Sequence, residues 1–594
     1  MLIKMKLHRL ILPLFIGFTL PFMIFGQTDD RKGAVEIAGL RAIGSPSNPK
    51  VPMNWSRYHD NKQIEQFCKD LQNAYPNLVR YESIGKSYEG RDMLVLTVSD
   101  FSKGKTDRKP GMWIDGNIHA NELQGSEIAM YTAWYLAENF SSVAFIQELL
   151  QDKVFYIAPT INPDSRDYFI HEPNTMHSSR TGRRPFDNDG DGAIAEDLYD
   201  DLDGDGHIVM MRRKSKTGRY KADPENPNRM LIVKPGEVGE YEMLGFEGID
   251  NDGDGLVNED ITGTYDPNRD WGWNWQPNYV QNGALYYPGT LPETKAVKQF
   301  FYSHKNIAGA QSYHNYGGMI LRGPGAAQDE KYYSRKDVQV YDALGKTGER
   351  MLPGYNYIVI HKDLYTVFGG EIDFITLARG VFTFSNELMT TYKLFNEKAG
   401  QGLRQSDEYY EFDKLLLFGD AYVPWKEYDH PQFGKIEIGG AKKNYTRNHP
   451  GFLLLEDAHR NAAFTIYHAH HTPKLEVLDT EVKPLGGNLY EVNATVWNGR
   501  IIPTHSDHDV KYKIERPDHI RLEGAEVITG LQVLDRDFNV TSEQKYKPHQ
   551  IEIPNIEGMS EVRVRWIVKG KPDKAKLIVD SEKGGLLEKL LTEK

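Results

Sequence analysis

From Asn61 the apolar positions Ile64, Phe67, Cys68, Leu71 and Tyr75 recur at helical spacing, and Pro76 ends the run. This predicts an amphipathic helix. Residues 78–84 and 93–98 are strand-like, with Gly90-Arg91 supplying a turn between them. A short apolar run covers 111–115, and a helix is expected over 125–140 with Ile128, Tyr131, Tyr135 and Leu136 facing inward. Residues 154–160 again read as a strand. Alternating strands and helices predict an α/β fold, a mixed twisted sheet flanked by helices. After about Pro473 the texture changes to short β-type runs at 475–478, 489–496, 510–514, 526–533, 550–553 and 562–568. Turn residues separate them, which predicts a smaller C-terminal β-sandwich domain over 473–594. Residues 586–594 read as a short amphipathic tail.

Composition narrows the function classes. The chain has 594 residues, 39% hydrophobic and 11% aromatic, enough for sizeable cores and against disorder. Its one cysteine excludes an intramolecular disulfide, thiolate zinc sites and iron–sulfur clusters. A net charge of −13 repels phosphate backbones, so no nucleic-acid partner is expected.

The first residues read as an address. Lys4, Lys6 and Arg9 precede an apolar stretch over 10–25 that is interrupted by Pro13 and Pro21. It is too short to span a bilayer, which takes about 20 residues, so a signal peptide over 1–26 and an exported protein with no stable membrane span are expected. Residues 27–50 form a lead-in rich in turn residues.

The acid is concentrated in three copies of one pattern. Asp187, Asp189 and Asp191, then Asp201, Asp203 and Asp205, then Asp250, Asp252 and Asp254 stand at loop positions 1, 3 and 5, each followed by glycine. Alternate oxygens converging on one point with a glycine for the sharp turn suit a hard cation, and Ca2+ is expected in a structural role. None of the copies has glutamate at position 12, so these are not full EF-hands. The insert that carries them spans about 185–262.

Candidate chemistry begins at His119-Ala120-Asn121-Glu122, between a strand-like run and a helix. His314, after the strand-like run 307–310 and before Gly317-Gly318, is a candidate third ligand. Two histidines and a glutamate leave the fourth zinc position open, the arrangement of a catalytic site. Glu387 ends the apolar run 382–384 with Ser385-Asn386, where a poorly solvated carboxylate suits a general base.

With these residues the chain resembles the zinc carboxypeptidases of the pancreatic carboxypeptidase A type, in ordered matches from Tyr58 to Leu388. The segment 84–91 looks like the one that opens the family's sheet, and Asn162-Pro163-Asp164 is similar to its turn after a strand. The resemblance implies zinc on His119, Glu122 and His314, and a general base at Glu387. It implies a grip on the substrate's terminal carboxylate by Asn268 and Arg269, and a mobile Tyr365. It places Ile372 where side-chain selectivity is set, leaning to apolar C-terminal residues, although neighbouring Glu371 weakens that inference. An oxyanion-steadying arginine is implied as the second of an Arg-x-x-Arg step, which assigns Arg183 rather than Arg180 or Arg184. The catalytic domain then covers 51–472, and peptide or protein C-termini are the expected substrates. The alternatives are an amidase or deacylase acting on cell-wall peptides on the same scaffold, and an exported binding protein without turnover. His468, His470 and His471 are read as interdomain polar residues, and Trp271, Trp273 and Trp275 as core packing.

Overall fold

An eight-stranded mixed sheet lies at the centre of the computed structural model, which describes residues 43–46, 48–175, 180–187, 192–194, 196–259, 264–390, 395, 407–445 and 447–591. The expected signal peptide, much of the lead-in, and Asp189 and Asp191 lie outside the described residues. The spatial order is Val79–Lys86, Asp92–Val98, Val154–Ala158, Gly111–Gly116, Ile307–Asn315, Phe382–Leu388, Met319–Arg322, Asn356–Val359. Strands 154–158, 111–116, 307–315 and 382–388 run parallel to one another, and the first two strands and Met319–Arg322 join antiparallel. The strands 111–116, 154–158 and 307–315 are buried throughout, so both faces are covered and an alternating pattern is absent from them.

Helices cover the faces. Asn61–Ala74 buries Ile64, Phe67, Cys68 and Leu71, and its first turn is closed by a capping box from Asp60 and Gln63. Gln124–Asn139 is buried along almost its whole circumference, between the sheet and Gly451–His470. The strand 111–116 meets this helix closely: a Cβ on Gly116 would fall 2.5 Å from the carbonyl carbon of Gly125. That approach fixes the loop between them, residues 117–123.

The acidic insert is not a free loop. Its strands Met210–Gly218, Tyr220–Ala222, Met230–Ile232 and Gly239–Phe246 form a six-stranded antiparallel sheet together with the hairpin Tyr422–His430 and Gly434–Ala441. Arg212 pairs in register with Glu437 and is ion-paired to it. The expected insert, 185–262, therefore contains only part of its own sheet.

The C-terminal segment forms two antiparallel sheets, of five and four strands, over a core that includes Val492, Ile520, Trp566 and Leu577. Two expectations are corrected. Residues 510–514 are not a strand: Asp507–Tyr512 is a helix, because the Ser506 side chain caps it by accepting from the Asp509 N–H at 3.1 Å. The segment read as a tail is a strand over Gly585–Leu590, paired with Lys576–Ser581. Among the described residues no helix is long and apolar enough to cross a membrane.

This segment is bonded through buried polar groups to the turn that leads into strand Phe382–Leu388. His508 Nε2 meets the Leu377 carbonyl at 2.8 Å. Lys583 Nζ donates to the carbonyls of Arg379 (3.1 Å) and Gly380 (2.8 Å) and to Asp509 (2.9 Å). His505 lies between Asp509 (2.9 Å) and Asp518 (3.2 Å). Burial opposes its charge, but the two carboxylates outweigh burial and push it up to about 9. A folded-state value above the unfolded one stabilises fully below the unfolded value, near 6.5, and the gain is lost as pH rises through the folded value. Unfolding titrations are therefore expected to show a loss on the order of 2–3 kcal/mol between pH 6.5 and 9.5. His505→Gln should flatten that slope, and an unchanged slope in the variant would assign it to another group.

Candidate active site

The site is assembled at the C-terminal ends of adjacent strands. The chain leaves Gly111–Gly116 at Asn117, whose φ is +61°, a region that asparagine tolerates better than most side chains. The Asn117 amide donates to the carbonyls of His119 (2.9 Å), Ala120 (3.1 Å) and Glu122 (3.0 Å). The loop curls around this one side chain, which turns His119 and Glu122 towards the same point. The fully buried Arg166 donates to Asn117 Oδ1 at 3.2 Å and pairs with Glu127 at 2.8 Å, so the hub is itself fixed. His314 enters from the neighbouring strand, and sheet register sets Glu387 directly opposite it.

His119 Nδ1, His314 Nδ1 and Glu122 Oε2 are mutually 3.1 Å apart. A tetrahedral zinc shell with bonds of about 2.0–2.1 Å has edges of roughly 3.3 Å. Two imidazole nitrogens and a carboxylate oxygen, all buried and aimed at one point, fit that ion in chemistry and in spacing. Supporting groups hold two of the ligands. His119 Nε2 meets Asp266 Oδ1 at 2.8 Å, which leaves Nδ1 free as a ligand. Glu122 Oε1 accepts from Arg180 at 2.9 Å and Arg447 at 3.3 Å. Burial alone would raise Glu122, but the His119, His314 and Arg180 charges hold it well below the usual carboxylate range. Glu387 behaves oppositely: burial first, and the Glu122 charge next, push it up to about 7 against His314, Arg180 and Arg447.

A pocket opens beside these groups. His119, Arg180, Asn268, Arg269, Tyr365 and Glu387 are on its wall. Asp266 caps the short turn Pro267–Arg269 by accepting from the Asn268 N–H at 2.7 Å, and Asn268 Oδ1 in turn accepts from the Glu371 N–H at 2.8 Å. Arg269 is buried, 3.6 Å from Asp266, and its Nε has no hydrogen-bond partner among the described residues. Tyr365 is half exposed at the rim. Ile372 lies in the pocket with Leu321, Ile360, Leu364 and Val367. Neighbouring Glu371 is turned against Asp115: Ser312 Oγ bonds Asp115 at 2.8 Å and Glu371 at 3.2 Å. Burial, and then the Asp115 charge, raise Glu371 well above its ordinary value.

Arg183 is not where sequence spacing put it. It pairs with Glu89 at 3.2 Å and lies over the Tyr168 ring, while Arg184 points to the Thr290 carbonyl. Arg180 is the arginine in the site. Asn162 holds the Thr181 carbonyl, and the Tyr265 hydroxyl fills the space beside Gly182. The chain therefore turns between Arg180 and Arg183 and sends their side chains to different surroundings. Arg180 stood as an alternative to Arg183 in the sequence, whereas Asp266 and Arg447 were missed as site residues. Only Asp266 carried a signal, as the cap before Pro267 in the Asn-Arg segment. Among the described residues His468, His470 and His471 form no metal cluster: His468 is buried against Phe384, and His470 packs on Phe145. Trp271 is core, packed on Phe374.

In the insert, Asp201 and Asp203 converge with the buried Glu247, which burial pushes up to about 8. Asp250, Asp252 and Asp254 converge separately. Asp205 instead bonds the His207 N–H, and Asp187 accepts from the Gly192 N–H.

Comparison with known proteins comes to the same place. A family model described as "Zinc carboxypeptidase" matches residues 64–411, and a domain of unknown function matches 474–592. Carboxypeptidase B of Astacus astacus is 38% identical over 22% of this chain and 40% of that protein. Carboxypeptidase D of Rattus norvegicus is 30% identical over 25% of this chain and 11% of that protein. The chain thus matches well under half the length of these relatives. A solved structure of carboxypeptidase A from Helicoverpa armigera is 16% identical, covering 70% of this chain and 76% of that one with a TM-score of 0.40. The family match takes in more than half of the residues and spans all three candidate ligands and Glu387, and the chain belongs to the zinc carboxypeptidase family.

Proposed function

We propose that the protein removes single residues from the C-termini of peptides. The observation that carries this reading is the placement of Arg269 and Asn268 on the same pocket wall as His119, His314 and Glu387. A guanidinium with an unpartnered Nε at that position suits a bidentate pair with a free carboxylate. An internal peptide bond offers no such carboxylate. The residues at His119, Glu122 and His314 would hold zinc, which when bound supplies a Lewis acid that polarises a carbonyl and makes water a nucleophile at neutral pH.

The chain's own groups supply the rest. Glu387, pushed up to about 7 by burial and by Glu122, is poised to take a proton from water and return it to the departing amine. Arg180 stands between Glu122 and the pocket and stabilises negative charge that develops on the scissile oxygen. Tyr365 at the rim closes over the bound end and excludes water. The apolar wall of Leu321, Ile360, Leu364, Val367 and Ile372, with Glu371 turned to Asp115, favours aliphatic or aromatic C-terminal residues. The Asp-rich loops are read as structural calcium sites: three and three carboxylates converge in the two described groups, where like charges repel unless a cation lies between them.

A paired assay tests the reading. A peptide with an apolar free C-terminus should lose one residue at a time, its amidated twin should be inert, and a zinc chelator should abolish the reaction; equal cleavage of both would overturn the role of Arg269. Arg269→Met should lower kcat/KM by about 100-fold or more on the free peptide. Glu387→Gln should lower kcat by about 10²–10⁴-fold at unchanged zinc content. For the insert, removal of calcium is expected to lower the melting temperature by about 5 °C, restored by calcium and not by zinc. An unchanged melting curve would contradict calcium binding.

A further inference from the structure

The chain that leaves the side-chain pocket is finished by groups from the C-terminal domain. Glu371–Asp373, which carries Ile372, runs directly into the helical stretch Phe374–Ala378, and that stretch ends in the turn to strand Phe382–Leu388. A helix end leaves its last carbonyls without partners inside the helix. Here the donors come from far along the chain. His508 Nε2 donates to the Leu377 carbonyl at 2.8 Å, and Lys583 Nζ donates to the carbonyls of Arg379 (3.1 Å) and Gly380 (2.8 Å). The fit is close: Gly380 has φ +63°, and a Cβ on it would fall 2.9 Å from Asp509 Oδ2. The His508 ring also stands 5.9 Å from the Trp273 ring, in the stretch that follows Arg269. The short helix Asp507–Tyr512 thus touches both segments that lead away from pocket residues, and Asp337 Oδ1 anchors it by accepting from the Asp507 N–H at 3.0 Å.

We propose that the C-terminal domain is a positioning element of the side-chain pocket, with His508 and Lys583 clamping the turn at 377–380 and thereby fixing where Ile372 stands. The inference rests on the carboxypeptidase reading of the pocket. A domain docked only for stability needs no particular site, and some of its contacts are of that kind: Arg108 meets Asp580 at 3.4 Å and Lys474 meets Asp152 at 2.6 Å, none of them on the pocket wall. Lys583 differs. It is buried, and its three protons match three acceptors, Asp509 (2.9 Å) and the two turn carbonyls. Burying an ammonium is costly unless it is paired. Directional bonds to a backbone fix its position, whereas apolar contact is non-directional. Ile372 precedes Leu377 on one helical stretch, while Glu387 stands towards the other end of strand Phe382–Leu388, so the clamp bears on the pocket wall and not on the base.

The test is kcat and KM of the full chain on two peptides that differ only in their last residue, leucine or glycine. The proteins are the parent, His508→Phe, Lys583→Met, Lys583→Arg and, for a contact elsewhere in the same interface, Arg108→Met. A leucine reaches the pocket wall and a glycine does not. The ratio of kcat/KM between the two peptides cancels the amount of active enzyme, so a loss of stability alone leaves it unchanged. The clamp predicts a leucine-to-glycine ratio about 5–10-fold lower in His508→Phe, which keeps the ring but not the donor, and in Lys583→Met, chiefly through a higher KM for the leucine peptide. It predicts partial recovery in Lys583→Arg, which keeps a charged donor, and the parental ratio in Arg108→Met. The parental ratio in both His508→Phe and Lys583→Met would overturn the inference, as would an equal fall in Arg108→Met. If either variant fails to fold, the other reads the same ratio. A parent that releases no residue from either peptide would instead overturn the carboxypeptidase reading, and the clamp with it.

Discussion

Two imidazole nitrogens and a carboxylate oxygen lie within 3.1 Å of one another in the interior, and the surrounding structure exists to keep them there. Such a cluster presents three electron-rich atoms to one point, where each would otherwise need a proton or a cation. The elements that bear on it are buried and hydrogen-bonded. The strands Gly111–Gly116 and Ile307–Asn315 are buried neighbours, Asn117 curls the ligand loop, and Asp266 fixes the outer nitrogen of His119. The near contact of Gly116 with Gly125 leaves the loop no room to relax.

Charge around the cluster is balanced locally. Arg180, Arg269 and Arg447 stand against Glu122, Asp266 and Glu387. The consequence is that two interacting carboxylates are shifted in opposite directions. Glu122, surrounded by cations, is held well below the usual carboxylate range, whereas Glu387, buried beside that negative charge, is pushed up to about 7. The remote parts of the chain serve the same frame. The C-terminal sheets bond the backbone of Leu377, Arg379 and Gly380, directly after the pocket residues Glu371, Ile372 and Asp373, through His508 and Lys583.

Much of this was legible in the sequence where the signal is local. Helical spacing gave the first helix to within a residue, and His119, Glu122, His314 and Glu387, singled out along the chain, come together in one place. What sequence spacing could not settle depends on where a turn sends a side chain or on contacts between distant residues. Arg180 and Arg183 are three apart on a turn, and the hold of Asn162 on Thr181 with the packing of Tyr265 beside Gly182 decides which enters the site. Arg447 reaches Glu122 across 325 residues with no motif to announce it. The hairpin Tyr422–His430 and Gly434–Ala441 completes a sheet begun more than two hundred residues earlier. The helix Asp507–Tyr512 reads as a strand by its apolar residues, because one serine cap overrides them.

The central claim is that one zinc ion sits on His119, Glu122 and His314, with Glu387 beside it but not bound to it. Anomalous diffraction from crystals of the zinc-loaded protein, recorded on both sides of the zinc absorption edge, tests this most directly. The account predicts a single strong zinc peak beside His119 Nδ1, His314 Nδ1 and the Glu122 carboxylate, with Glu387 not bound to it. A peak at the Asp-rich loops alone, or a zinc ligated by Glu387 in place of Glu122, would contradict it.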